Sequence, residues 1–163
     1  MRVGIGFDIH QLRAGRPLIL GGVTIPHTHG LLGHSDADAL THAVCDALLG
    51  AMGEGDLGTY YPSSNPAYKN MNSLEMLKGV KEKLADRGFF LVNLDSTVLA
   101  EAPRLGPYLA DIQKNLAITL SVDPARVNVK VKSGDQIGTI GRQEGIGAQA
   151  VCLIQSQGSL ALD

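Results

Sequence analysis

Apolar residues alternate with small or polar residues in the stretch VGIGFDIH, residues 3–10. A period of two is typical of a β-strand, whose successive side chains point to opposite faces. One face carries the apolar residues Val3, Ile5, Phe7 and Ile9. The other face carries Gly4, Gly6, Asp8 and His10. The pattern predicts that the apolar face packs on the core, and that another group approaches the nearly bare face closely.

Hydrophobic periodicity and turn residues divide the rest of the chain into strands and helices. The segment 17–26 reads as two extended pieces around a Gly-Gly turn. Helices are predicted from an N-cap at Ser35 to Gly53, and over residues 73–87 and 108–122; strands are predicted over 89–100, 127–133 and 148–156. Because strands and helices mix without a strict βαβ rhythm, we expect an α+β fold, a sandwich of helices on a mixed β-sheet formed by a single domain over residues 1–163.

Composition and charge narrow the class of protein. The 163 residues are 44% hydrophobic and 18% charged, and no apolar run approaches the roughly 20 residues of a membrane span, so we expect a soluble protein that binds no membrane. A net charge of -2 gives no general electrostatic case for binding nucleic acid. Two cysteines in apolar stretches, Cys45 and Cys152, indicate reduced core residues. We expect a cytoplasmic bacterial protein, although a plastid protein with its leader removed would look identical.

Three side chains could form a metal site. Asp8 and His10 share a face of the first strand, and His42 lies on the helix that follows. Two histidines and one carboxylate with an open position are typical of catalytic zinc. Asp38 and Asp46, four residues to either side of His42, could each orient its ring. The alternative is two unrelated histidines and a capping aspartate.

Other segments favour phosphate binding. His34 and Ser35 precede the first helix, whose free N–H groups would favour an anion. The glycine-rich segment 134–147, with Lys132, Ser133 and Arg142 beside or within it, could hold phosphate through N–H groups and positive charge. Each signal has an ordinary alternative: a solvated loop histidine, or a glycine-rich connection to the last strand.

Several long blocks, in one order over nearly the whole chain, resemble the 2-C-methyl-D-erythritol 2,4-cyclodiphosphate synthases. They are RVGIGFDIHQL, LLGHSDADALTHAVCDALLGA, GDLGTYYP, AEAPRLGPY, VNVK and IGRQEGIGAQAVCLI. The resemblance implies an α/β layer that assembles as a homotrimer with interfacial active sites. It also implies cyclisation of 4-diphosphocytidyl-2-C-methyl-D-erythritol 2-phosphate with release of CMP. Gly4 and Gly6 would then leave space at a subunit junction.

The resemblance also implies roles for particular residues. Zinc would be held by Asp8, His10 and His42, and a second ion, Mg²⁺ or Mn²⁺, by Asp135. Transition-state stabilisation would fall to His34 and Ser133. The residues implied in binding the cytidine diphosphate substrate, besides Asp8 and His10, are His34, Ser35, Asp56, Gly58, Tyr61, Ser63, Asn65, Ala100, Arg104, Leu105, Gly106, Lys132, Ser133, Asp135, Thr139 and Arg142.

The chain departs from the family pattern mainly near its end. Where the family usually has Thr-Thr-Thr-Glu, this chain has Lys-Ser-Gly-Asp at 132–135. The carboxylate expected to bind the second metal is therefore one methylene shorter. Ser63 and Asn65 stand where the family often has Asp, and Thr139 stands where it has an aromatic residue. A trimeric protein that captures a diphosphate without turnover is the alternative that these changes leave open.

Overall fold

A computed structural model describes residues 1–158 of the protein. Its strands are β1 (Arg2–Ala14), β2 (Leu18–Leu20), β3 (Val23–Ile25), β4 (His29–Leu31), β5 (Phe89–Leu99), β6 (Val127–Lys132) and β7 (Gly145–Ser156). Its α-helices are α1 (Ala39–Met52), α2 (Leu57–Tyr60), α3 (Ser73–Asp86), α4 (Leu109–Leu120) and α5 (Gly138–Gly141). Short 3-10 turns span Pro66–Tyr68, Gly106–Tyr108 and Pro124–Arg126. These bounds confirm the predicted α+β class.

The main sheet is mixed and five-stranded, in the order β4-β1-β7-β5-β6. β1 pairs antiparallel with β4 and β7, β5 pairs antiparallel with β7, and β5 and β6 are parallel. α1 lies against β1 and β7, while α4 lies against β6 and α3. β2 and β3 form the predicted hairpin, in which Gly21 and Gly22 have positive φ angles of 54° and 71°. The arrangement places the start of α1 beside the middle of β1.

The two faces of β1 are the reverse of the predicted ones. Its apolar residues are exposed: Val3 at 67%, Ile5 at 62%, Phe7 at 54% and Ile9 at 44%. The buried face is the glycine face, because α1 lies directly on it. A Cβ at Gly4 would be 1.9 Å from the Ala47 carbonyl oxygen, and one at Gly6 would be 2.0 Å from that of Ala43. The glycines therefore serve packing within one chain, and the expectation that they line a subunit junction was wrong.

The first helix begins later than predicted. Its N-cap is Asp38, whose Oδ1 accepts a hydrogen bond of 3.0 Å from the Thr41 backbone N–H. Ser35 caps no helix; its Oγ accepts from the Ala37 N–H in the preceding turn, at 3.1 Å. A carboxylate at the N-cap satisfies a free N–H group and complements the helix dipole. The predicted stop at Gly53 is confirmed as a left-handed C-cap with φ 79°.

The core lies between the sheet and the helices and contains both cysteines. Cys45 and Cys152 are free and buried, as predicted. Within the described residues, no helix is both long and apolar enough to cross a bilayer. The prediction of a single domain over residues 1–163 stays a prediction, because residues 159–163 lie outside the described part of the chain.

Candidate metal centre and surrounding cavity

Asp8, His10 and His42 converge where α1 begins beside β1. Asp8 Oδ2 lies 2.9 Å from His10 Nε2 and 2.9 Å from His42 Nδ1, and the two ring nitrogens are 3.2 Å apart. One ligand atom from each residue lies within 4.8 Å of the other two. Two imidazoles and a carboxylate are a donor set that suits Zn²⁺. The geometry therefore fits a bound metal ion.

Asp8 and His10 each favour the charged form of the other. Burial opposes ionisation of Asp8, but hydrogen bonds from His10 and His42 outweigh that effect and hold the pKa of Asp8 well below its usual range. Burial likewise opposes protonation of His10, but the Asp8 carboxylate raises the pKa of His10 overall. Asp8 is thus ready to ligate as a carboxylate, while an ion that binds at His10 must displace the proton that His10 Nε2 donates to Asp8.

In each histidine, the ring nitrogen that points away from Asp8 has a hydrogen-bonding partner. His10 Nδ1 donates to the Leu32 carbonyl oxygen at 2.8 Å, which turns Nε2 towards the cluster. His42 Nε2 contacts the hydroxyl groups of Ser73 at 2.8 Å and Ser35 at 3.2 Å. The prediction that Asp38 or Asp46 orients the His42 ring was wrong, because other groups occupy their carboxylates.

Those two carboxylates support the backbone around the site. Asp38 accepts from Thr41 and from the Gly22 N–H, at 2.8 Å for the latter, and its complete burial raises its pKa. Asp46 accepts from the Leu57 N–H at 2.7 Å, and burial raises its pKa too. Asp46 therefore fixes the start of α2 beside the cluster. The partners of these carboxylates are therefore Thr41 of the same helix, Gly22 and Leu57, and not His42.

A cavity of about 340 Å³ opens over the metal-binding cluster. Its lining residues are Asp8, His10, His34, Ser35, His42, Asp46, Leu57, Gly58, Tyr61, Ser63, Tyr68 and Met76. The structure thus brings together nine of the residues singled out from the sequence. A cavity lined by both polar and apolar side chains is typical of a small-molecule site.

A histidine side chain holds the segment 61–65 at this cavity. His34 Nε2 donates to the Asn65 carbonyl oxygen at 3.1 Å, so the segment is tied to the wall that carries Ser35. Asp56 lies just outside the lining; as N-cap of α2, its Oδ1 accepts from the Thr59 N–H at 2.9 Å. Both Asn65 and Asp56 therefore border the cavity.

The later candidates form a second group, away from this cavity in one chain. The segment Ala100–Gly106 follows β5, and the segment 132–135 begins at the last residue of β6. The two segments meet where the Ala100 N–H donates to the Lys132 carbonyl oxygen at 2.9 Å. The Gly134 N–H donates to Glu101 Oε2 at 3.0 Å. Two strands, β7 and β5, separate β6 from β1 in the sheet. Within residues 1–158, this group includes no residue that lines the 340 Å³ cavity.

The individual residues of this second group are mostly solvent-accessible. Arg104, Gly106, Lys132, Ser133 and Asp135 are exposed. Leu105 is buried in the core at 1% exposure, which leaves only its backbone for ligand contacts. The side chains at 132–135 are therefore free to contact a ligand or another chain.

Thr139 and Arg142 lie in the segment before β7. Thr139 borders a smaller cavity of about 200 Å³ beside Ile9 and His10. The Arg142 guanidinium donates to Glu144 at 2.7 Å, and both side chains are exposed. Neither residue lines the cavity over the metal-binding cluster.

The sequence of the whole chain settles its relationship to known proteins. The sequence profile of the YgbB family matches residues 1–155. The chain belongs to the YgbB family. Bacterial relatives carry the name 2-C-methyl-D-erythritol 2,4-cyclodiphosphate synthase. The one from Desulforamulus reducens is 54% identical over 155 residues, 95% of this chain and 99% of its own length; that from Enterococcus faecalis is 52% identical with the same coverage.

Solved structures of the YgbB fold superpose closely. A structure described as the synthase in its CDP-bound form matches with a TM-score of 0.87 and 32% identity, covering 94% of this chain and all of its own. The bifunctional IspDF of Campylobacter jejuni matches with a TM-score of 0.92 and 42% identity, covering 95% of this chain but 42% of that longer protein. The fold predicted from the sequence is therefore that of the YgbB family.

Five residues near the site were not singled out from the sequence. Leu57, Tyr68 and Met76 line the cavity. Ser73 contacts His42 Nε2 on the side away from the cluster, and Asp36 accepts a hydrogen bond from Ser73. Tyr68 lies in a loop without periodicity, and Ser73 has the ordinary signature of a helix start. Only their long-range contacts reveal them, and a single sequence carries no signal for those.

Proposed function

We propose that the chain catalyses the metal-dependent cyclisation of 4-diphosphocytidyl-2-C-methyl-D-erythritol 2-phosphate to the 2,4-cyclodiphosphate, in the non-mevalonate pathway of isoprenoid synthesis. The 2-phosphate oxygen attacks the β-phosphorus, the bond from that phosphorus to the bridging oxygen breaks, and CMP leaves with that oxygen. The observation that carries the proposal is the Asp8, His10 and His42 cluster in the wall of a 340 Å³ cavity, in a chain 54% identical to a named synthase.

The main demand of this reaction is to hold two phosphates together. Bound Zn²⁺ would polarise a phosphoryl oxygen and offset negative charge, and Asp8, His10 and His42 are its proposed ligands. His34 and Ser35 lie on the adjoining wall, where they can position the diphosphate. Gly58, Tyr61 and Ser63, with Asp56 and Asn65 at the border, would surround the methylerythritol part. Of these, we assign transition-state stabilisation to His34.

The second group of residues would hold the cytidine diphosphate end. The proposed contacts are Ala100, Arg104, Leu105, Gly106, Lys132, Ser133, Asp135, Thr139 and Arg142. Lys132 would supply positive charge, and Ser133 a hydroxyl donor in the transition state. The exposed Asp135 would bind Mg²⁺ or Mn²⁺, hard cations that prefer oxygen ligands.

We further propose that the protein is a homotrimer with each site at an interface. The exposed apolar stripe of β1, extended by Val151 on β7 at 40% exposure, favours burial against other copies. The two groups of candidate residues are separated within one chain, which supports a site completed by a neighbour. A bacterial cytoplasmic location belongs to the same proposal. The two free thiols fit a reducing compartment, and burial raises the pKa of both, that of Cys152 to about 11, so that they react poorly.

Incubation of the protein with the cytidyl substrate, Zn²⁺ and Mg²⁺ should release one CMP for each cyclic diphosphate formed. Phosphorus NMR identifies the cyclic product, and chromatography measures CMP. Removal of the metal with a chelator should abolish release, because the phosphate charges would then repel without compensation. A folded, zinc-loaded sample that releases no CMP would refute the proposed reaction.

Ile5→Lys should convert the trimer to monomers, since it places a charge in the middle of the apolar stripe. Light scattering should then give a mass of 17.2 kDa rather than three times that value. Turnover should fall at least about tenfold because each site loses its neighbour's residues. Ile118→Lys on α4 is the matched control, since Ile118 is 64% exposed but lies away from the stripe. A trimer that survives Ile5→Lys would contradict this interface.

A further inference from the structure

The buried hydroxyl of Ser73 connects the candidate metal ligand His42 to a carboxylate. Ser73 is the first residue of α3 and is completely buried. Its Oγ lies 2.8 Å from His42 Nε2 and donates a hydrogen bond to Asp36 Oδ1. Its backbone N–H donates to the other oxygen of the same carboxylate at 2.9 Å. The three residues thus form a chain from Asp36 through Ser73 to His42.

We propose that Ser73 and Asp36 are positioning residues that fix the tautomer of His42 for metal binding. A serine hydroxyl has one proton, and here Asp36 accepts it. Ser73 Oγ can therefore meet His42 Nε2 only as an acceptor, so Nε2 carries the proton of the neutral ring. Once an ion replaces the proton that Nδ1 shares with Asp8 Oδ2 at 2.9 Å, Nε2 keeps the remaining proton, and Nδ1 presents its lone pair to the ion.

The opposite tautomer is the one that would block the site. If Nδ1 carried the proton, it would donate to Asp8 and could not ligate a metal ion. Ser35 Oγ, 3.2 Å from Nε2, could then donate to that nitrogen. Ser73 would, however, have to abandon Asp36 or present its lone pair to the unprotonated Nε2. Leaving a buried acceptor unpaired in this way is costly, so the contacts of Ser73 disfavour the blocking tautomer.

The two histidines of the cluster are thus held by different kinds of hydrogen-bonding partner. His10 donates to the Leu32 carbonyl, a group that can only accept. A hydroxyl can donate or accept, so Ser73 becomes a reliable acceptor only because Asp36 takes its proton. Asp36 is held in turn by its own N–H, which donates to the Met71 carbonyl oxygen at 3.1 Å. Partners of this kind orient metal-binding histidines and raise their basicity.

Ser73→Ala should weaken binding of Zn²⁺ by about 10 to 100-fold, the usual effect of removing such a partner. The affinity is measured by competition with a chromophoric chelator, using the metal alone and no substrate. In the zinc-loaded protein, long-range ¹H–¹⁵N NMR should show the His42 Nε2 proton losing its downfield shift and its protection from exchange. Ser73→Thr, which keeps the hydroxyl, should bind Zn²⁺ within about threefold of the unmodified protein.

Ser96→Ala is the matched control. Ser96 is also a buried serine with a hydrogen bond, donated to the Asn128 carbonyl oxygen at 3.0 Å, but it lies on β5. Equal zinc affinities of Ser73→Ala and the unmodified protein, or an equal loss in Ser96→Ala, would overturn the inference. If Ser73→Ala does not fold, Asp36→Asn is tested instead, and the inference requires that this variant also bind Zn²⁺ more weakly. The inference rests on the metal centre of the proposed function, but its test uses no turnover, so its failure would leave that reaction standing.

Discussion

Gly6→Ala should destabilise the protein severely although it adds one methyl group. The new Cβ would lie 2.0 Å from the Ala43 carbonyl oxygen and 2.7 Å from the Ala47 backbone nitrogen, both within α1. A helix backbone cannot rotate aside as a side chain can, so the whole helix would have to lift from the sheet. Because overpacking of a core typically costs 1–3 kcal/mol, we expect at least about 3 kcal/mol here.

Urea unfolding at a fixed protein concentration measures this effect. Gly147→Ala is the matched control in the neighbouring strand, because its Cβ would find its nearest neighbour, the Asp8 carbonyl oxygen, at an ordinary 3.6 Å. The control should change the free energy of unfolding by less than about 1 kcal/mol. If Gly6→Ala were as stable as Gly147→Ala, α1 could leave the sheet at little cost, and the close packing would not be essential.

His42→Ala should remove the metal ion and the proposed activity together. Only Asp8 and His10 would remain as donors, and two ligands hold Zn²⁺ much more weakly than three. Zinc content by atomic emission should fall from about one ion per chain to a small fraction of that. Turnover should fall by at least about 10²–10³-fold, since the developing phosphate charge loses its main compensation.

His29→Ala is the control for this substitution. His29 lies on β4, exposed and outside the metal-binding cluster, so its removal should leave zinc content and CMP release unchanged. Asp8→Asn provides an independent check, because it keeps the shape of the side chain but removes its charge. Full zinc retention in His42→Ala would refute the ligand role of His42.

The helices and strands were predictable because their signals are local. The period of α3, the Gly-Gly turn after Leu20 and the stop at Gly53 each depend on neighbouring residues. The faces of β1 were not predictable by the same means. A period of two separates two faces but does not say which one packs inward. That choice depended on how closely α1 approaches, which Gly4 and Gly6 permit.

The candidate site, like the fold, was predictable only where the signal is local. Asp8 and His10 lie at strand spacing, so their shared face could be predicted. The following helix offered His42 as a third ligand, and the family resemblance strengthened that prediction. The partner of His42 could not be found from spacing, because Ser73 lies 31 residues further along the chain. The roles proposed for Ser133 and Asp135 stay predictions, since one chain does not bring them to the cavity.

The glycine face of β1 also determines how far the metal ligands must reach. Asp8 has a short side chain, and it meets His42 at 2.9 Å because the strand and helix backbones are nearly in contact at Gly4 and Gly6. Any bulk at these positions would act as a wedge that opens the angle between strand and helix. The wedge would separate Asp8 from His42. Two glycines that contact no ligand therefore determine the distance between the metal-binding side chains.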